Sequence, residues 1–250
     1  MKKMSKKPDL ISLQGELFLA KMVNGAHAAL LPVGNMPELQ LQITSETTDH
    51  FESKTGLRAK DAVLRKQTGV TISGSLEEVT KQNLALVLSG KSLEIAESTI
   101  TDQALGAVKV GEMIDLGIRN LSDVAFKGPS DTVITADKYT LDAVFGTVVF
   151  NEAITDVKWS GKSGAITRTT IANNLGEEYR FFFKGVDTYK GDKVALTLWR
   201  VEFSPETELD LINEDFASYA IEGECLADIT KAFDSELSIF GHIDRFSITA

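Results

Sequence analysis

Three kinds of residue in this chain have types that could do chemistry: a Gly-Lys-Ser triplet, three histidines, and a pair of aspartates in a turn-like segment. Gly161-Lys162-Ser163 ends like a phosphate-cradling loop, but that loop needs a glycine where Asp156 stands and a strand-to-helix switch, of which the flanks give no sign. A turn is expected there. His27, His50 and His242 lie far apart, with no acid or thiol partner at metal-ligand spacing. Asp187 and Asp192 could begin a Ca²⁺ loop, yet Gly185 to Lys193 lacks the ligand series of an EF-hand and reads as a hairpin turn. The Gly-x-Gly-x-x-Gly fingerprint, the Gly-x-Ser-x-Gly elbow and the His-Glu-x-x-His pair are missing. The expectation is a protein that is not an enzyme and holds no cofactor or metal. Cys225 is the lone cysteine, a usage that fits a reducing compartment, and its place on the apolar side of a strand marks it as a small buried hydrophobe.

The elements that would have to position such residues carry a clearer pattern. Leu39, Leu41 and Ile43 alternate with Gln40, Gln42, Thr44 and Glu46, and Val70, Ile72 and Leu76 alternate with Thr71, Ser73, Ser75 and Glu77. That is the period of a strand with one dry and one wet face. A later strand over Phe216 to Leu226 turns Tyr219, Ile221 and Cys225 inward and Ser218, Glu222 and Glu224 outward. Val194 to Phe203 sends Arg200 and Glu202 one way and Val201 and Phe203 the other. The wet faces lack the aromatics, histidines and arginine clusters that grip a ligand, so they read as a solvated wall.

Between the first two wet-faced strands lies Glu52 to Lys66, with Lys54, Arg58, Lys60, Asp61, Arg65 and Lys66 around Gly56. It reads as a long loop or an extended hairpin, and its cations stand out on an acidic chain. Lys81 to Ser89 is the expected helix: Thr80 can cap it, Val79 and Leu84 have staple spacing, Leu84, Val87 and Leu88 form an apolar stripe, and Gly90 stops it. A strand, an Asn24-Gly25 turn and a second strand are expected between Ile11 and Leu31. Short alternating segments recur at Val108 to Leu116, Tyr139 to Val149, Ile154 to Trp159 and Tyr179 to Gly185. Gly128-Pro129, Gly161 to Gly164 and Asn173-Asn174 serve as turn signals between them. This spacing predicts a mainly β chain, a sandwich or half-barrel with one flanking helix, rather than a βαβ fold. Trp159 and Trp199 sit in alternating patterns that suggest core positions.

The 250 residues are 43% hydrophobic, enough for a sizeable core, and show no linker or repeat, so a single domain over 1–250 is the simplest reading. A net charge of −10 and a pI near 4.9 argue against a protein that grips nucleic acid through lysine and arginine. Lys2, Lys3, Lys6 and Lys7 form a basic cluster read as a flexible, solvated tail over 1–10, with no signal-peptide stretch after it. No membrane span is expected.

The run from Val33 through Pro37 to Leu39, the charged loop, Gly74 to Glu78 and Asn83 to Gly90 together resemble the major tail tube proteins of long-tailed bacteriophages. Lys138 to Asp142 with Gly146 to Phe150 is similar to that family's central hairpin, Tyr179 to Gly185 to its later strand, and Leu211 to Asp228 to its last lumen strand. The resemblance implies a β-sandwich or half-barrel that assembles into hexameric rings, which stack into a tube for DNA. It implies a virion tail protein assembled in the host cytoplasm. The implied partners are its own copies, tail tip or initiator proteins, a tail terminator and a tape-measure protein, with transient, non-specific passage of double-stranded DNA. Under it, Gln40, Gln42, Thr44, Glu46, Thr71, Ser73, Ser75, Glu77, Arg200, Glu202, Glu222 and Glu224 face the lumen, with Arg200 neutralised by a carboxylate such as Glu202 of another copy. Residues 52–66 contact other subunits. Residues 229–250 match no part of the pattern, though Phe233, Phe240 and Phe246 would suit an outer surface or a contact between copies, and a chain this short leaves no room for an appended immunoglobulin-like domain. Two rival expectations are an inner tube of a contractile tail or injection system, and a ligand-binding β-sandwich.

Overall fold

A computed structural model describes residues 10–204, 208–234 and 236–247. The lysine-bearing tail of residues 1–9 lies outside the described residues. In chain order the elements begin with β1 (Leu13–Val23), β2 (Ala26–His27), β3 (Leu31–Gly34), β4 (Glu38–Phe51), β5 (Lys60–Leu76) and α1 (Lys81–Val87). There follow β6 (Ser92–Ile95), β7 (Ser98–Val108), β8 (Met113–Asp115), β9 (Leu121–Lys127), β10 (Val133–Ile134), β11 (Tyr139–Asp142), β12 (Thr147–Phe150), β13 (Ile154–Ser163) and β14 (Ile166–Thr169). The chain then runs through β15 (Glu178–Asp187), β16 (Lys193–Phe203), β17 (Tyr219–Cys225) and β18 (Gly241–Phe246). The protein is mainly β, in open antiparallel sheets with a single α-helix among the described residues.

Where one domain was expected, the chain forms two compact units, one from the segments up to Lys91 and from Thr170 onward, the other from Ser92–Thr169. Each has its own apolar core. The second unit joins β10, β9, β13 and β7 in one sheet and β11, β12 and β8 in another, around Trp159, Phe126, Phe150 and Val148. Phe126 meets Tyr139 and Phe150 edge-on at centroid distances of 4.7 and 5.3 Å. Its ends are held side by side, because β6 and β14 pair with Ser92 opposite Thr169.

The first unit is a sheet in the order β2-β1-β15-β16-β17-β5-β4, with β3 on β1 and β18 on β16. Its hairpin turn at Asn24 and Gly25 takes positive φ at both residues, as the sequence predicts. The inward face buries Leu17, Leu19, Ile72, Leu76, Phe181, Leu196, Leu198, Val201 and Ile221, with Cys225 among them at 6% exposure. Helix α1 begins where expected: the Asn83 amide donates to Thr80 Oγ1 at 3.1 Å, and Val87 packs into the core. Asn83 itself is buried, its Nδ2 donating to the carbonyls of Val33 at 2.6 Å and Glu78 at 2.7 Å, so one amide ties the helix to β3.

Several local expectations change. Gly161 to Ser163 belongs to β13 and not to a turn, because the segment stays paired with β7 and β9 through a register shift. The segment 108–116 is not one strand: Val108 ends β7, and Met113–Asp115 forms a separate short strand. The charged segment 52–66 is not all loop: β5 begins at Lys60, which leaves 52–59 as the connection of an extended hairpin. Trp199 is only half-buried, with Arg180 and Lys231 over its ring and Nε1 donating to the Ser238 carbonyl at 2.8 Å. Residues 229–250 now have a partial place, as β18 extends β16 along Lys193 to Leu198. Phe240 packs against the core, whereas Phe233 is fully exposed. The Asp187 to Lys193 segment is the expected hairpin turn, with Asp187 and Asp192 engaged by Arg245.

Candidate assembly surface

Strand pairing in the first unit puts the wet-face residues into rows. Gln40 stands opposite Ser73, and Ser73 opposite Glu222. One step along, Gln42, Thr71, Glu224, Glu202 and Glu178 form a row across five strands. Glu38, Ser75 and Ala220 form the row on the other side. Because side chains two residues apart share a face, these rows make one continuous polar surface, and Arg200 lies on it two residues before Glu202. Gln40, Gln42, Ser73, Glu222 and Glu224 are exposed, while Thr71, Ser75 and Glu202 are half-buried between neighbours.

The face is acidic by construction. No lysine or arginine occurs in 38–51, 67–80 or 201–230; the cations on this side of the sheet come from its other strands, Arg200 on β16 and Arg180 two residues beyond Glu178 on β15. The partner of Arg200 differs from the expected one. Arg200 donates through Nε and Nη2 to the two carboxylate oxygens of Glu178, each at 2.6 Å, and through Nη1 to the Ala227 carbonyl at 2.9 Å. The pair is internal to the chain, and among the described residues no cation pairs with Glu202. The bulge between Tyr179 and Phe181, which sequence alone does not reveal, sets this register. The Arg200 hydrogen bonds hold the Glu178 carboxyl below the usual carboxylate range.

Two residues assigned to this face lie elsewhere. Glu77 follows the end of β5, where its amide donates to the Asn35 carbonyl at 3.2 Å and its carboxylate accepts from Asn35 Nδ2, so it closes a corner rather than extending the strand. Glu46 pairs opposite Gln67, beyond the last β17 residue, and so sits on the free part of the hairpin. Thr44 opposite Gly69 marks the border between wall and free hairpin. Glu38 and Glu178 belong to the face but were missed; both have period-2 spacing to assigned residues or direct opposition to them, and only the register of β15 was needed to find Glu178.

From Thr44 and Gly69 outward β4 and β5 form a two-stranded ribbon, exposed along its length. Lys60 pairs with Asp49 at 2.6 Å and His50 Nδ1 with Asp61 at 2.5 Å across the ribbon, so Lys60 and Asp61 serve the hairpin itself. Lys54, Arg58, Arg65 and Lys66 make no ion pair among the described residues. The ribbon also exposes Phe51, Leu57, Val63 and Leu64. A lone two-stranded ribbon is marginal in water. Beside it, the dry face of β4 is only partly covered, with Leu39 half-buried and Ile43 70% exposed.

The second edge of β4 has no strand on it among the described residues. Natural edges are blunted by lysine, proline or brevity, but β4 is 14 residues long and has no proline, lysine or arginine. Its bulges lie only in the outer half, after Glu46 and His50. The inner half, alongside the polar rows, is a straight and unguarded edge. On the opposite side of the sheet, an open cleft of about 1020 Å³ is lined by Leu13, Leu17, Leu39, Leu41, Phe183 and Ile243 among others.

The family described as "Protein of unknown function UCP028589" matches residues 10–244. No curated protein matches the chain.

Proposed function

We propose that this chain, which belongs to that family, is a structural subunit whose copies join into rings that stack as a tube. The match spans both compact units, so the reading has to account for the whole chain and not for one module. The observation that carries it is the conjunction of a cation-poor polar face with an unguarded edge on the same sheet. An edge of this kind is satisfied by another strand, and a head-to-tail pairing of identical copies closes into a ring when the rotation allows. The polar rows then line a channel whose carboxylates Glu38, Glu202, Glu222 and Glu224 repel a phosphate backbone, so that double-stranded DNA slides without sticking.

In this reading the protein is the major tail tube protein of a long-tailed bacteriophage, built on a half-barrel with α1 on its flank. Hexameric rings meet a tail tip or initiator at one end and a terminator at the other, with a tape-measure protein inside. The virion tail is its destination and the host cytoplasm its place of assembly. The hairpin with Lys54, Arg58, Arg65 and Lys66 reaches from one copy to another. A test follows directly from the wall: in assembled protein, Glu222→Lys with Glu224→Lys should leave tubes intact but make them retain DNA fragments that the native tube excludes. Equal DNA retention by both would contradict a repulsive lumen.

One observation favours a second reading, a binding module for an apolar ligand: the open cleft lined by Leu13, Leu17, Leu39 and Phe183 has the size and lining of a small-molecule site. Saturable binding of a fatty acid by a stable monomer would favour that reading.

A further inference from the structure

On the approach to β17, residues 209–217 are held at both ends and bare in between. Leu209 and Ala217 pack against the core, while Leu211, Ile212 and Phe216 are 85, 96 and 103% exposed. Asp210, Glu214 and Asp215 are exposed beside them. Large apolar side chains displayed singly are ordinary, but three on a seven-residue arch, interleaved with three carboxylates, form a contact element. Its chemistry mirrors the outer hairpin, which displays Phe51, Leu57, Val63 and Leu64 interleaved with Lys54, Arg58, Arg65 and Lys66, cations with no ion pair among the described residues. The chain segregates these charges: no lysine or arginine lies between Arg200 and Lys231.

The two elements are at opposite ends of the same strand. The arch ends beside Tyr219, which pairs with Leu76 at one end of β5, and the hairpin connection leaves from Lys60 at the other. The 17 residues of β5, at about 3.3 Å per step, separate them by about 50 Å. They cannot meet within a copy. We infer that the acidic, apolar arch 210–216 of one copy is the docking site for the outer part of the hairpin of another, from Phe51 to Lys66 with its exposed apolar and basic side chains, a head-to-tail contact directed along the strands. Because donor and acceptor are different surfaces, each copy can give one and receive one without limit, the property that stacking requires. The inference rests on the tube reading and names the acceptor for its hairpin.

Charge reversal tests it. Variant H carries Arg58→Glu, Arg65→Glu and Lys66→Glu, and variant A carries Asp210→Lys, Glu214→Lys and Asp215→Lys; all six sites are exposed, so both variants should give the native circular dichroism spectrum, which is checked first. Under conditions in which the native chain assembles, H and A alone should each stop at single rings, and the combined variant should restore long tubes in electron micrographs. Normal tubes from variant A, or no rescue in the combined variant, would overturn the inference and leave the tube reading standing. A native chain that never assembles would overturn both. Zero-length carbodiimide coupling of the native protein provides a second readout: a peptide joining Lys54 or Lys66 to Asp210, Glu214 or Asp215 is expected from assembled material, and its absence beside other inter-copy links would overturn the contact.

Discussion

At the scale of single residues, Glu178 and Asn83 are the side chains whose loss should be felt most clearly. Glu178 and Arg200 form a two-point ion pair that is partly shielded, worth roughly 1 kcal/mol after discount for solvent. Arg200 depresses the Glu178 pKa, so the pair contributes fully above the unfolded carboxyl value and is lost as pH falls through the lower folded one. Urea unfolding should therefore show native protein more stable than Glu178→Gln at pH 7, with the difference vanishing in strong acid and unchanged between pH 6 and 9. Asn83→Ala strands the buried Val33 carbonyl and the part-buried Glu78 carbonyl and should cost about 1–3 kcal/mol by the same measurement. Burial pushes the Cys225 thiol up to about 11, so it should resist alkylation at pH 8 until the protein unfolds. The burial of Cys225 was legible in its alternation with Glu222 and Glu224, whereas the partner of Arg200 was not, because a bulge on another strand decides which carboxylate lies within reach.

Elements were read best where local chemistry alone dictates them. Thr80 with its staple residues set the start of α1, and Asn24-Gly25 the first hairpin, because each signal acts within a few residues. Strand β13 was cut short at Gly161 since a glycine within a paired strand looks the same in sequence as one in a turn; only β7 and β9 on either side settle it. The strands β7 and β9 themselves escaped, as Asp102 and Asp123 at positive φ break their alternation. The division into two units was hidden for a similar reason, the second core being long-range in sequence and its entry and exit strands short. An excision follows: joining Lys91 to Thr170 through a short Gly-Ser bridge should leave the first unit cooperatively folded, and residues 92–169 alone should fold with Trp159 emitting as a buried indole. Trimming the hairpin from 47 to 64 to a tight turn should barely change thermal stability, since the ribbon buries little, yet abolish stacking.

For the whole molecule, the mainly β character and the wet-faced strands were visible in the sequence as period-2 alternation, and pairing joins those strands as expected into a single polar face. What alternation could not give is how far the face extends: Glu38 and Glu178 enlarge it, and Glu77 and Glu46 leave it, according to where β5 ends and where β17 stops. In the proposed reading the face, the bare edge of β4 and the two contact elements share one consequence, a subunit that is completed by copies of itself. Negative-stain electron microscopy of the purified native protein, over a range of concentration and salt, tests this most directly. Rings or tubes with a central channel are the expected result; a monodisperse monomer at every concentration and salt would contradict it.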